Sequence, residues 1–228
     1  MNLLAIETST EACSAAVLAG EQLIARSEIA PRRHAELLLP MCDQVLAEAG
    51  LSRKALDAIA VGRGPGAFTG VRLAISAAQG IALALDIPVI PVSSLAALAM
   101  QAPEDDANIL AVIDARMGEI YSAAFRRDGD GIAMIVEESV GLASALQLPV
   151  SPTGWNVIGS GWTTYHDALA AVLSVSPRWA EGDCYPQAID VARLAAPIAA
   201  SGGGVSADQA LPVYLRDKVA LTLAEQRR

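Results

Sequence analysis

The 228-residue chain is 53 % hydrophobic and 18 % charged, which excludes a disordered or fibrous protein and leaves room for one large or two small cored domains. Its net charge of −9 argues against a chain that grips nucleic acid by itself, because that affinity comes largely from neutralising phosphates. Three cysteines, Cys13, Cys42 and Cys184, far apart and without a CxxC pair, exclude a disulfide scaffold and fit a reduced, cytoplasmic protein.

The start, Met1 to Glu7, has no basic run before its first acid and does not read as a signal peptide. Asn2–Glu7 predicts a buried strand, Ala12–Ala19 a second and Gln22–Ile29 a third, with Gly20-Glu21 turning the chain between the last two. From Arg33 to Ala49, Leu38, Met41, Val45 and Ala49 recur at helical spacing and Gly50 is a natural stop. Pro40 falls inside this pattern and predicts a kink or a late start. Residues 57–61 give a strand, Val71–Leu85 a helix, Pro88–Val92 a short strand, and a further helix begins near Ser94. Arg72, Asp86, Pro88 and Pro91 interrupt the apolar stretch 71–100 below membrane-spanning length.

Pro103-Glu104-Asp105-Asp106 marks a boundary between residues 1–102 and 103–228, and beyond it the opening pattern returns. Ile109–Asp114, Glu119–Phe125 and Ile132–Glu138 predict three strands. Ala5-Ile6-Glu7 matches Val112-Ile113-Asp114, and Ser14-Ala15-Ala16 matches Ser122-Ala123-Ala124 with a one-residue gap. Both halves thus open alike, which predicts an α/β protein of duplicated β-β-β-α-β-α units with mixed sheets. A short helix at 142–148, a strand at Asn156–Gly159 and helices at Thr164–Leu173 and Ala188–Ala200 follow. Leu211–Leu215 is extended and could return to the first lobe, and residues 225–228 fray.

The chain is organised around Gly62-Arg63-Gly64-Pro65-Gly66-Ala67-Phe68-Thr69-Gly70-Val71-Arg72, a glycine-rich turn between a strand and a helix. That arrangement can present backbone N–H groups to an anion. It lacks the Lys-Ser/Thr of a phosphate loop and is one residue too long for the dinucleotide fingerprint. The acid-bearing turn Glu7-Thr8-Ser9-Thr10, with Gly159-Ser160-Gly161, could form a relic nucleotide site, and a small ATP-dependent phosphotransferase is the competing enzyme reading. A metallopeptidase ranks third. The only histidines, His34 and His166, lack metal-ligand spacing, so no metal site is expected.

The helix after the glycines carries no charge from Leu73 to Leu85. Ser76, Gly80 and Ala84 form one four-residue stripe, and Ala74, Ala78 and Ala82 a neighbouring one. Small residues at that spacing admit a second helix closely. Gly80 costs about 1 kcal/mol of helix propensity against Ala, so it asks for a packing reason.

The opening Glu7-Thr8-Ser9-Thr10-Glu11-Ala12-Cys13-Ser14, the run His34–Pro40, the glycine stretch, Asp114-Ala115-Arg116-Met117-Gly118-Glu119-Ile120-Tyr121 and Pro212-Val213-Tyr214-Leu215-Arg216 resemble the bacterial TsaB (YeaZ) family, in the glycoprotease-like group of the actin-like ATPase superfamily. The resemblance implies two lobes of ribonuclease H-like topology and a role in forming threonylcarbamoyladenosine on tRNA next to the anticodon. It implies a non-catalytic subunit that binds the catalytic TsaD through its first-lobe helices and is joined by the ATPase TsaE. It also implies self-association through the same surface when TsaD is absent, and only indirect contact with tRNA. No cofactor is expected, with ATP or ADP held only at a shared interface. The expected partner surface comprises His34, Leu37, Leu38, Met41, Val45, Ser76, Gly80 and Ala84, with Gly62, Gly64, Pro65, Gly66, Thr69, Gly70 and Arg72 as the hinge that sets the second helix on its sheet.

Overall fold

The computed structural model describes residues 1–173 and 175–216; the expected fraying at 225–228 lies outside them. The first half runs β1 (Asn2–Glu7), β2 (Ala12–Ala19), β3 (Gln22–Ile29), α1 (His34–Glu48), β4 (Ala58–Gly62), α2 (Phe68–Leu85), β5 (Val89–Val92) and α3 (Ser94–Ala99). The second runs β6 (Asn108–Arg116), β7 (Glu119–Asp128), β8 (Gly131–Leu142), β9 (Trp155–Ile158), α4 (Ser160–Thr164), α5 (His166–Leu173), β10 (Trp179–Glu181) and α6 (Ala188–Ala200). Two five-stranded sheets result, ordered β3-β2-β1-β4-β5 and β10-β9-β6-β7-β8. In each, the first three strands are antiparallel and the last two join in parallel. The expected duplication is therefore present strand for strand.

The repeated tripeptide is not in register. Ser14 stands opposite Glu7, whereas Ser122 stands opposite Val112 and Asp114 faces Ile120. The second match is displaced by two residues along the strand, and the serines fall on different faces: Ser14 on the side that α6 covers, Ser122 on the side that α5 covers. The two serines then do different work. Ser14 Oγ accepts the Ala188 N–H at 2.9 Å and so holds the start of α6, while Ser122 bonds Ser139 on β8 at 3.2 Å.

Three local expectations change. α1 starts at His34 and passes through Pro40, whose position on the exposed side lets water reach the carbonyl left without a donor. Residues 142–148 hold only a short 3-10 turn at Ala143–Ala145, because Pro149 disfavours a helical Leu148. The helix expected over Thr164–Leu173 is two helices, broken at Tyr165 (φ −124°, ψ 33°), and the three-residue β10 had no sequence signal.

Five layers stack. α1 and α2 cover the outer face of the first sheet, with Leu38, Val45, Val71, Ile75 and Ala78 packed on Leu4, Ile6 and Val17. α6 covers the inner face, where Ala188, Val191, Ala192 and Ala195 lie on Leu3, Ala5, Ala58 and Ala60. α3 lies against the second sheet, with Leu95 and Leu98 among Ile109, Ile113 and Phe125. α5 covers that sheet's far side through Leu169 and Leu173. The two inner helices are thus exchanged: α3, from the first half, lines the second sheet, and α6, from the second half, lines the first.

Candidate functional site

The glycine stretch is shaped by the turn that follows β1. A Cβ on Gly62 would sit 1.9 Å from Glu7 Oε2, one on Gly66 2.3 Å from the Ser9 carbonyl oxygen, and one on Gly70 2.0 Å from that of Thr8. No side chain larger than hydrogen fits at these three positions. Hydrogen bonds fasten the two segments: the Ala67 N–H donates to Ser9 O at 2.7 Å and Thr8 Oγ1 to Gly70 O at 2.7 Å. Gly64 adopts φ 90° against Val71, its bond to the buried Pro65 is cis, and Thr69 is exposed on the first turn of α2.

Glu7 is fully buried beneath this loop. Its Oε1 accepts the Ser9 N–H at 2.5 Å, and its Oε2 accepts the Ser94 hydroxyl at 2.7 Å. Burial pushes the carboxyl above its ordinary range, against the lowering effect of those bonds. The group pins the start of α3 to the end of β1 and does not line an open site. Gly159 and Gly161 lie elsewhere. A Cβ on Gly159 would meet Val112 O at 2.2 Å, and one on Gly161 the Val112 side chain at 3.0 Å. Their role is to let the turn after β9 lie on β6. Of the relic nucleotide set, only Ser9 and Thr10 line the cleft between the lobes.

The expected partner surface divides. Leu38, Met41 and Val45 are buried in the core beneath α1, and Leu37 is half-buried against it, so these side chains are committed to their own sheet. His34 is half-buried, with Nε2 2.9 Å from Thr10 O. Ser76, Gly80 and Ala84 are exposed, and among the described residues nothing outside the neighbouring turns of the helix lies within 4 Å of a Cβ on Gly80. Ala74, Ala78 and Ala82 face inward. Two exposed apolar residues join the outer face, Leu39 (52 %) on α1 and Leu83 (78 %) on α2. A groove of about 270 Å³ runs between the helices past Leu39, Gly80, Ile81, Ala84 and Leu85. At the start of α2, the Arg72 guanidinium lies 3.3 Å from the Phe68 ring centre and 5.1 Å from that of Tyr214.

The interlobe cleft holds about 510 Å³. Arg116 spans it, with one guanidinium nitrogen 2.7 Å from Glu11 in the first lobe and the other 2.9 Å from Asp114 in the second. Tyr165 donates to Asp114 at 3.0 Å. A second interlobe tie joins Arg63 of the glycine loop to Glu138 on β8 at 3.0 Å, and the same carboxylate accepts the Ser93 hydroxyl. The C-terminal segment straps the arrangement. The Ala210 carbonyl accepts from Gln79 at 3.0 Å, the Val213 N–H donates to Arg63 O at 2.9 Å, and Arg216 reaches Ala115 O at 3.1 Å and Glu119. Burial pushes the Cys13 thiol up to about 11 and the Cys42 thiol up to about 12, so both are protonated packing groups at neutral pH. Among the described residues, no three His, Cys, Asp or Glu side chains group as a metal site.

Residues 22–174 match the family described as TsaD, tRNA N6-adenosine threonylcarbamoyltransferase. The chain is 39 % identical to the tRNA threonylcarbamoyladenosine biosynthesis protein TsaB of Escherichia coli, over 96 % of each chain. It is 36 % identical to the protein of the same name from Haemophilus influenzae, over 96 % of this chain and 95 % of that one. Among solved structures, YeaZ from Pseudomonas aeruginosa superposes with a TM-score of 0.88 at 42 % identity, over 94 % of this chain and 99 % of the other.

Proposed function

This chain belongs to the TsaB (YeaZ) family of tRNA threonylcarbamoyladenosine biosynthesis proteins, and from that membership we propose that it is the non-catalytic partner subunit of a TsaD-type threonylcarbamoyltransferase. The observation that carries the partner reading is the outer face of α2. Ser76, Gly80 and Ala84 make an exposed ridge at four-residue spacing, with open space above Gly80 and Leu83 at its edge. A helix that fits such a ridge approaches closely, and ridge-into-groove packing of this kind crosses at about −50°. Leu39 and the groove beside it extend the same apolar surface onto α1.

In this reading the subunit works in the cytoplasm without a resident cofactor, and nucleotide is held only where a second chain completes a site. The TsaE-type ATPase joins the assembly, and a second copy occupies the α1–α2 surface when the catalytic subunit is absent. The net charge of −9 supports indirect contact with tRNA. The buried, hydrogen-bonded Glu7 supports the non-catalytic role over a phosphotransferase, since a general base must reach its substrate.

Two measurements test the proposal. The chain, mixed with a TsaD-type subunit and its remaining partners, is assayed for threonylcarbamoyladenosine on tRNA with and without this subunit. Product is expected only with it, whereas undiminished product in its absence overturns the activating role. Gly80→Leu places a bulky side chain on the ridge and is expected to weaken co-elution with the catalytic subunit at least tenfold while leaving the thermal midpoint no lower. Parent-like co-elution of Gly80→Leu removes α2 from the interface.

A further inference from the structure

The lobes are joined in two chemically different ways. The exchanged helices α3 and α6 carry apolar packing across the junction, which resists separation but is non-directional. Charge ties cross it as well, and they differ in burial. Arg116, which reaches Glu11, keeps 71 % of its side chain in solvent, so that tie is screened and weak. The Arg63–Glu138 pair is enclosed, with only 24 % and 8 % of the two side chains exposed.

Both ends of this pair are held in place. Arg63 is fixed through its backbone: its N–H donates to Val92 O at 2.8 Å and its carbonyl accepts the Val213 N–H at 2.9 Å. Glu138 receives the guanidinium at 3.0 Å and the Ser93 hydroxyl, so both of its partners come from the first half of the chain. Ser93 in turn caps α3, accepting the Ala96 N–H at 3.0 Å.

An independent observation lies in the backbone of β8. Ser122 faces Ser139 and Ala124 faces Val136, so Ala123 alone stands opposite both Glu137 and Glu138. Val136 packs with the cluster under α5, and Ser139 meets Ser122 on that same side. In an unbroken strand Glu138, two residues after Val136, would share that far side and point away from the first lobe. The extra residue reverses the alternation and turns Glu138 toward Arg63. β3 is the counterpart of β8 in the first lobe, and it pairs with β2 without a break from Ala12 and Ile29 to Ala19 and Gln22. Of these two counterpart strands, only the one that carries the interlobe carboxylate is bulged.

We propose that the Arg63–Glu138 pair is an orientation lock, in which Arg63 is a positioning residue that holds the second lobe at one angle to the glycine stretch and to α2. A buried ion pair adds little net stability over apolar side chains of the same size, because both charges lose their water, but it accepts only one geometry. The chain then presents both lobes in one arrangement before any partner arrives, and no closing step precedes binding. The lock acts whatever partner α2 meets.

The test is the distance between two nitroxides, on Ser27→Cys in β3 and Ala171→Cys in α5, both exposed positions. Cys184 is replaced by Ser, while Cys13 and Cys42 are buried. Labelled chain is diluted with unlabelled chain, so that double electron–electron resonance reads distances within one copy. The parent is expected to give one narrow distribution. Arg63→Met should at least double its width, while Arg53→Met, which breaks the Asp43 pair within the first lobe, should leave it unchanged. Arg63→Met/Glu138→Leu removes both charges; it should melt within about 3 °C of the parent yet keep the broad distribution. That separation marks an orienting role, since a merely stabilising pair would lower the midpoint and leave the angle alone. If Arg63→Met does not fold, the double variant decides. A narrow, parent-like distribution in either folded variant overturns the proposal, and so does a parent distribution that is already broad.

Discussion

The two glycines of α2, ten residues apart, stand in opposite surroundings. At Gly70 the chain's own backbone fills the place of a side chain, with Thr8 O 2.0 Å from a would-be Cβ. At Gly80 nothing else among the described residues comes within 4 Å of a would-be Cβ. The first glycine is explained completely by the fold. The second weakens an exposed helix by about 1 kcal/mol and meets no packing partner among the described residues. This contrast separates the tightly packed start of α2 from the open face that the helix carries further along.

The contrast can be broken most sharply at Gly70. Gly70→Ala drives a methyl group into backbone that cannot swing aside, and urea unfolding should show a loss of about 3 kcal/mol or more. A loss under about 1 kcal/mol would mean that the turn after β1 yields. Glu7→Gln sharpens what the neighbouring Gly62 makes room for. Because burial raises the carboxyl's pKa above the unfolded value near 4.5, the folded chain holds that proton to higher pH than the unfolded chain does. Stability from this group therefore falls as pH rises from about 4.5 through the folded value. Glutamine is neutral throughout, and the Ser94 hydroxyl can accept from its amide. The unfolding free energy of Glu7→Gln should gain on the parent as pH rises from 4 to 7, and parallel curves would show that Glu7 ionisation is not linked to folding. The smallest effect is at Gly80→Ala, which should stabilise the isolated chain by about 1 kcal/mol in the same urea experiment. A destabilised Gly80→Ala would mean that its surroundings are not open.

The strands were legible because they carry the simplest signals. β1, β2 and β3 are uninterrupted runs bounded by turn residues, and the return of an acid-ended strand at Asp114 exposed the duplication. Of the residues expected to face outward, those on α2 are exposed and most of those on α1 are buried, for one reason. Leu38, Met41 and Val45 were the very residues whose spacing identified α1 as a helix, and apolar residues in helical phase mark the buried stripe. Leu39, outside that phase, is the one left to solvent. On α2 the apolar content runs all round, so periodicity could not choose a face; residue size did, since the alanine stripe lies inward and the stripe with glycine and serine outward. The burial of Glu7 could not be read at all, because Ser94, which binds it, is 87 residues away in sequence.

The exchange of α3 and α6 has a consequence for dissection of the chain. A cut in the Pro103–Asp106 linker would give two fragments, each with a complete sheet and each missing the helix that covers its inner face. Neither fragment can close its core alone, but each carries the lid of the other. Expressed together they should reassemble as a split protein, and co-purification of one fragment on a tag carried by the other reports whether the two halves have met.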